Sequence, residues 1–221
     1  MNKADKLYAK VDSLMTPYLA GIRRARIKDT SFSIISNNCW AGSVYRYYGL
    51  PYQSPTAGLY FFASDYIKLI SDLKRYMRID PVQITCDESK WKDELIKRDQ
   101  KEIPLGRLDD IEVVFLHYNS FEEARSKWNR RKQRINWNNI FFKFSEMNLC
   151  TEESINQFAG LKFRNKLLIT AKNRPDLPFS VQSERRFVSS GQVTNDTVYF
   201  HHIVNLTKWL NSPPERYSMG L

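Results

Sequence analysis

The chain has 221 residues, 42% hydrophobic and 14% aromatic, which is enough apolar material to bury the core of one domain. Lys and Arg outnumber Asp and Glu by 34 to 24, and the formal net charge of +10 calls for an anionic neighbour: a nucleic acid, an acidic membrane surface or a phosphorylated ligand. No apolar run reaches the roughly 20 residues that span a bilayer, and three scattered cysteines without a CxxC pair argue against a disulfide framework or structural zinc.

The amino-terminal stretch lacks an apolar signal core followed by small residues, so a cytoplasmic protein is expected. Residues 3–28 have the pattern of a basic helix in which Leu7, Val11, Leu14, Met15, Leu19 and Ile22 form an apolar stripe. The stripe is expected to pack on the domain, with a membrane surface as the alternative, and Pro17 is placed to kink or divide the helix. The segment FSII (32–35) has the character of a buried strand, and Val44, Tyr45 and Tyr48 recur at helical spacing beyond Gly42. The chain therefore turns from strand to helix near Cys39. GLPYQSPTAGLYF (49–61) is a loop punctuated by proline and glycine, and ASDYIKLISDLKRYMRID (63–80) is a helix with Ser64 as candidate N-cap.

The pattern weakens over 82–106, where a short apolar run VQIT and a charged stretch around Trp91–Ile96 precede a turn at IPLGRL. DDIEVVFLHY (109–118) has strand character, and SFEEARSKWNRRKQRI (120–135) is a basic helix opened by a Ser120–Glu123 capping box. NNIFFKFSEM (138–147) and NKLLITA (165–171) follow as strands around the helix TEESINQFAGL (151–161). The tail, 172–221, is irregular except for TVYFHHIVNLTKWL, a strand-like start running into a short helix. Strands alternating with helices predict a single α/β domain over 1–221, three layers α/β/α around a mostly parallel sheet.

The strand–helix junction at Cys39 is the first candidate for chemistry. Ligands of open α/β sheets collect beyond the carboxyl ends of the strands, where the free N–H groups of the following helix favour negative charge and would stabilise a thiolate. The alternative is a cysteine that only packs beneath Trp40. In a parallel sheet the carboxyl ends of strands 32–36 and 111–116 lie on the same edge, so His117 is expected to converge on Cys39 and take the thiol proton as general base. His201 and His202 are rival bases. Asn37, Asn38, Trp40 and Ser54 are the expected oxyanion or substrate-binding groups.

On the basic helix, Arg130 and Arg134 share a face at i and i+4, with Arg131 beside Lys127 and Trp128, and these three arginines are candidate phosphate ligands for a donor molecule. A solvated helix face is the competing account. GxGxxG, Walker, GxSxG and HExxH patterns are absent. Asp109-Asp110 precedes its strand, on the wrong edge for a metal-dependent sugar-nucleotide site, so no metal is expected.

The strings SNNCWAGSVYRYYGLPYQSPTAGLYF, DDIEVVFLHY, EEARSKWNRRKQRINWNNIFF and the closing KWLN together resemble an uncharacterised bacterial family, domain of unknown function 1919, over about residues 30–211. Members are often found among exopolysaccharide and capsule biosynthesis genes. A second glycine commonly follows the Trp-Gly step in that family, where this chain has Ala41-Gly42. A weaker likeness is to capsule acyl-transfer proteins with an Asn-Cys step after the first strand, matched here by Asn38-Cys39 alone. The resemblance implies a cytoplasmic role in building a surface polysaccharide but supplies no reaction. The leading expectation is a transferase of that assembly, in peripheral contact with the inner face of the membrane, acting on a phosphorylated donor and a saccharide acceptor. An acyl-coenzyme A donor with Cys39 as nucleophile is favoured over a nucleotide sugar held by the arginines. A non-catalytic module binding RNA or an anionic membrane is the remaining class, with RNA disfavoured because the basic residues are split among segments carrying no nucleic-acid motif.

Overall fold

Three apolar strands, each sending alternate side chains to opposite faces, build the centre of the molecule. The computed structural model describes residues 3–213, so residues 214–221 of the expected tail lie outside the described residues. In chain order the elements are α1 (Lys3–Arg24), β1 (Ser33–Ser36), α2 (Trp40–Tyr47), α3 (Ala63–Ser71), α4 (Leu73–Arg78), β2 (Val82–Ile84), α5 (Lys92–Lys97), β3 (Leu105–Leu108), β4 (Ile111–Val114), α6 (Phe121–Lys132), β5 (Ile140–Ser145), α7 (Glu152–Gly160), β6 (Lys166–Thr170), β7 (Ser180–Gln182), β8 (Val188–Ser189), β9 (Gln192–Val193), α8 (Phe200–Ile203) and α9 (Leu206–Leu210).

The central sheet has the order β1-β5-β6-β7 and every pair in it is parallel. Ile34 pairs with Phe141 and Ile35 with Phe142, so neighbouring strands present matched rows to each face. Ile35, Phe142, Phe144 and Leu168 pack with Tyr66, Leu73, Trp128 and Phe158 from α3, α4, α6 and α7. Ile34, Phe141, Leu167 and Ile169 pack on the other face with Trp40, Val44 and Tyr45 of α2 and with Phe200, Leu206 and Leu210. The sheet is thereby covered on both faces, as an α/β fold requires, and each large side chain removed from water contributes about 1.5–3 kcal/mol.

The structure differs from the sequence expectations at four places. The run around Ile111–Val114 does not join the parallel sheet. It forms a hairpin with β3, Leu108 opposite Ile111, and belongs to a separate antiparallel sheet β2-β3-β4. Asp109, at φ +57°, and Asp110 are the two-residue turn of that hairpin. The helix expected over 63–80 is interrupted at Asp72, whose carboxylate accepts from the Arg75 N–H and caps α4, while α3 starts after Phe62 with Ser64 inside it. No strand forms at 197–199, because Tyr199 takes a left-handed conformation at φ +60° and starts α8.

The fourth difference is α1, which ends at Arg24, is not divided at Pro17, and lies on the body by its polar side. Asp5, Thr16 and Ala20 are buried, Tyr8 stacks on Tyr199 at 3.9 Å between ring centroids, and Arg23 sits 3.8 Å over the Tyr47 ring. Leu7, Val11, Leu14, Met15 and Ile22 of the expected packing stripe are exposed. Aromatic and cationic partners on α2 and the 199–202 turn outcompete the stripe for this face.

Candidate functional site

The turn from β1 into α2 is fixed by its own side chains. Ser36 Oγ donates to the Asn38 carbonyl at 2.6 Å and accepts from the Ala41 N–H at 3.3 Å, while Asn38 Oδ1 accepts from the Trp40 N–H at 3.2 Å. Cys39 occupies the N-cap position with no side-chain cap bond. Its sulfur is left facing the loop between α2 and α3, 3.5 Å from the Leu59 carbonyl. A cavity of about 390 Å³ opens there, lined on one side by Cys39, Gly42, Ser43 and Arg46, and on the other by Tyr52, Ala57, Gly58, His117, Tyr118, Lys127, Arg131 and Thr197. The structure thus brings Cys39, His117 and Arg131 to one cavity, although the parallel-strand geometry that motivated the pairing is wrong. His117 arrives from the turn after β4, with its backbone N–H on the Gly58 carbonyl at 3.0 Å.

Gly58 links the two halves. Its N–H faces the Cys39 sulfur and favours the thiolate, and its carbonyl holds the His117 backbone. It adopts φ +82°, where glycine is at home, and a Cβ there would meet the Tyr118 ring at 3.1 Å. Burial nevertheless dominates the thiol, pushing its pKa up to about 11, with the Asp196 charge adding to the rise. The thiolate expected from a helix N-terminus is therefore overturned: near neutrality Cys39 is a thiol, and nucleophilic use of it requires a base. Exposed His117, on the same cavity, is a group able to serve.

Cations rim the cavity. Buried Arg131 donates to the Ala57 carbonyl at 2.9 Å and to the Tyr118 hydroxyl at 2.6 Å, and its guanidinium lies 4.7 Å from the Tyr52 ring centroid. Tyr118 in turn donates to Ala57 at 2.5 Å. Lys127 is held by Glu123 at 2.5 Å, with Ser120 Oγ accepting from the Glu123 N–H to cap α6. The Arg46 side chain is exposed and makes no ion pair among the described residues. Arg130 and Arg134 are exposed and do not line the cavity, Arg134 reaching only the Tyr52 carbonyl at 3.4 Å. The helix face that points inward runs Phe121, Ala124, Trp128 and Arg131. Of the three expected arginines, this face selects one.

Beneath the turn lies a fully buried ion pair. Lys143, from β5, projects to the α2 side of the sheet and pairs with Asp196, both side chains being no more than 1% exposed. Lys143 also donates to Asn38 Oδ1 at 2.9 Å, Asn38 Nδ2 donates to Asp196 at 2.8 Å, and Ser145 Oγ donates to Asp196. Burial pushes the Lys143 ammonium down in pKa, against the raising effect of Asp196. Asn37 is locked to the Ser145 backbone by two bonds of 3.1 Å. Trp40 is buried, and Ser54 Oγ bonds to Thr56 Oγ1 at 2.9 Å. Asn37, Asn38, Trp40 and Ser54 are thus scaffold beneath the cavity, and none of them lines it. The backbone donor that faces the sulfur is instead the Gly58 N–H.

His201 and His202 lie away from this cavity, both against the Tyr8 hydroxyl at 2.9 and 3.0 Å. Burial lowers the His201 pKa to about 4. A larger groove, about 550 Å³, runs beside β2 and the start of α6 and contains Cys86, but no histidine lines it. Among the described residues no three His, Cys, Asp or Glu side chains come together as a metal site.

A family model matches residues 11–211, a range that contains every residue of the Cys39 cavity. The chain belongs to that family, described as a domain of unknown function (DUF1919). It is also similar to an uncharacterized protein of Haemophilus influenzae, 26% identical over 175 residues that cover 79% of each chain.

Proposed function

We propose that this protein is a transferase of cell-surface polysaccharide assembly, acting in the cytoplasm, in which Cys39 carries an acyl group from a coenzyme A thioester to a saccharide hydroxyl. The observation that supports it is the shared cavity: one thiol, one histidine and the cations Arg46, Lys127 and Arg131 face the same space of about 390 Å³. His117 takes the Cys39 proton as sulfur attacks the thioester carbonyl, and the Gly58 N–H stabilises the oxyanion. Collapse breaks the donor's carbon–sulfur bond, and the departing thiolate receives the proton from His117. In the second half His117 removes the proton of the acceptor hydroxyl, oxygen attacks the Cys39 thioester, and the Cys39 thiolate leaves and is reprotonated. The cations hold the donor's phosphates, where charge-assisted bonds are strongest.

A ligand-induced melting screen tests the reading. Coenzyme A should raise the melting temperature, by an amount set by concentration over Kd, and Arg131→Lys should reduce the shift more than Arg130→Ala. Stabilisation by nucleotide sugars instead would move the protein to glycosyl transfer, with Cys39 structural. Stabilisation by oligonucleotides alone would leave a non-catalytic binding module.

A further inference from the structure

On α1, Leu7, Val11, Leu14, Met15, Tyr18 and Ile22 recur at spacings of four, three, one, three and four residues, which places them on one face of the helix. That face is turned to water: the six side chains are 45–79% exposed. Isolated exposed apolar residues need no explanation, but six along one face of a 22-residue helix form a continuous stripe. Charge is sorted around the same helix. Its two acids point inward and are consumed, Asp5 by Arg186 at 3.0 Å and Asp12 by Arg23 at 3.4 Å. Lys3, Lys6 and Lys10 are exposed along one border of the stripe, Arg24, Arg26 and Lys28 are exposed at its end, and none of the six makes an ion pair among the described residues.

We infer that α1 is a membrane-surface helix that docks the protein on an anionic lipid bilayer, the stripe entering the headgroup–acyl boundary and the six cations facing acidic headgroups. An apolar face bordered by Lys and Arg and lying in the plane of the interface is the arrangement that binds acidic lipid. A second copy of the chain is the less fitting occupant, because apposing two such stripes also apposes their unpaired cations. No helix among the described residues is long and apolar enough to cross a membrane, so the contact is peripheral. The helix rests on α2, whose Ser43 and Arg46 line both the pocket beneath α1 and the Cys39 cavity, so the docked protein holds that cavity beside the helix that meets the bilayer.

The test is co-sedimentation of the full chain with vesicles of phosphatidylcholine alone and of phosphatidylcholine with phosphatidylglycerol. Binding is expected to the mixed vesicles only, falling at least tenfold in high salt and at least tenfold in Leu7→Glu/Leu14→Glu. Both substitutions are at exposed positions, and unchanged circular dichroism will show that the fold survives. Lys6→Glu/Lys10→Glu should lose binding while keeping the stripe. Absence of binding to the acidic vesicles overturns the inference, and so does a dimer by light scattering that Leu7→Glu/Leu14→Glu converts to monomer. Neither readout involves turnover, so the inference stands or falls separately from the assignment of the Cys39 cavity.

Discussion

Replacing Asp196 with Asn removes one charge from a pair whose side chains are 0% and 1% exposed, leaving Lys143 with neutral amide partners such as Asn38 and no countercharge. Stranding a charge in this way costs about 3–5 kcal/mol, far more than loss of a surface pair. With an unfolding entropy of about 2.1 cal/mol/K per residue, that corresponds to a fall in melting temperature of roughly 7–11 °C for this chain. The deficit must also depend on pH. Burial already holds the Lys143 pKa below its ordinary value, and without Asp196 it falls further. Between the folded and unfolded pKa values the unfolded chain binds more protons, so stability rises with pH and the deficit narrows as the solution is made more alkaline. Urea melts at pH 7 and pH 9 measure both effects. A double variant, Lys143→Met/Asp196→Leu, should cost less than the single change because no charge is left alone. A single-variant cost below about 1 kcal/mol, or a deficit independent of pH, would refute the account of this pair as the clamp beneath the Cys39 turn.

Alkylation of Cys39 followed by peptide mass spectrometry should be roughly a hundredfold slower at pH 8 than for an unperturbed thiol, rising about tenfold per pH unit toward its pKa near 11; a plateau below pH 9 would contradict the buried thiol. His201 is neutral in the fold, with its pKa lowered to about 4, so its contribution is present above the unfolded value near 6.5 and is lost as pH falls toward 4. His201→Gln should therefore be less stable at pH 7 yet lose less than the parent on acidification, and parallel pH–stability curves would exclude that role. Gly58→Ala places a methyl group 3.1 Å from Tyr118 at φ +82°, and should cost at least about 1–2 kcal/mol in chemical denaturation; a neutral result would mean the loop relaxes freely.

Much of the fold was legible because the local patterns were strong. The Ile34-Ile35, Phe141-Phe142 and Leu167-Leu168 rows announced buried parallel strands, and Ser120 and Thr151 cap their helices through the N–H groups of Glu123 and Ser154. The β3–β4 hairpin was missed although its signal was present: LGRL and IEVV are separated by two aspartates, the spacing of a tight turn, but the glycine weakened the first run as a strand. Lys143 was also missed, although a lone cation in IFFKFS stands within a strand buried on both faces, where a counter-charge is obligatory. Its partner Asp196 is 53 residues away in an irregular segment, and no local pattern connects them. Arg131 falls in the apolar spacing of α6 with Trp128, which separates it from solvent-facing Arg130 and Arg134. The outward stripe of α1 was not legible, because periodicity gives a face but not what covers it. That choice was made by Asp5, Tyr8 and Arg23 finding partners on the body.

The central claim is that Cys39 becomes covalently acylated, and intact-mass spectrometry of the protein incubated with acetyl-coenzyme A and no acceptor tests it most directly. The account predicts a single added acetyl group, mapped to Cys39 and removed by hydroxylamine, that forms far more slowly in His117→Gln and is absent in Cys39→Ala. An unmodified protein under conditions in which coenzyme A binds, or an acetyl group that persists in Cys39→Ala, would contradict it.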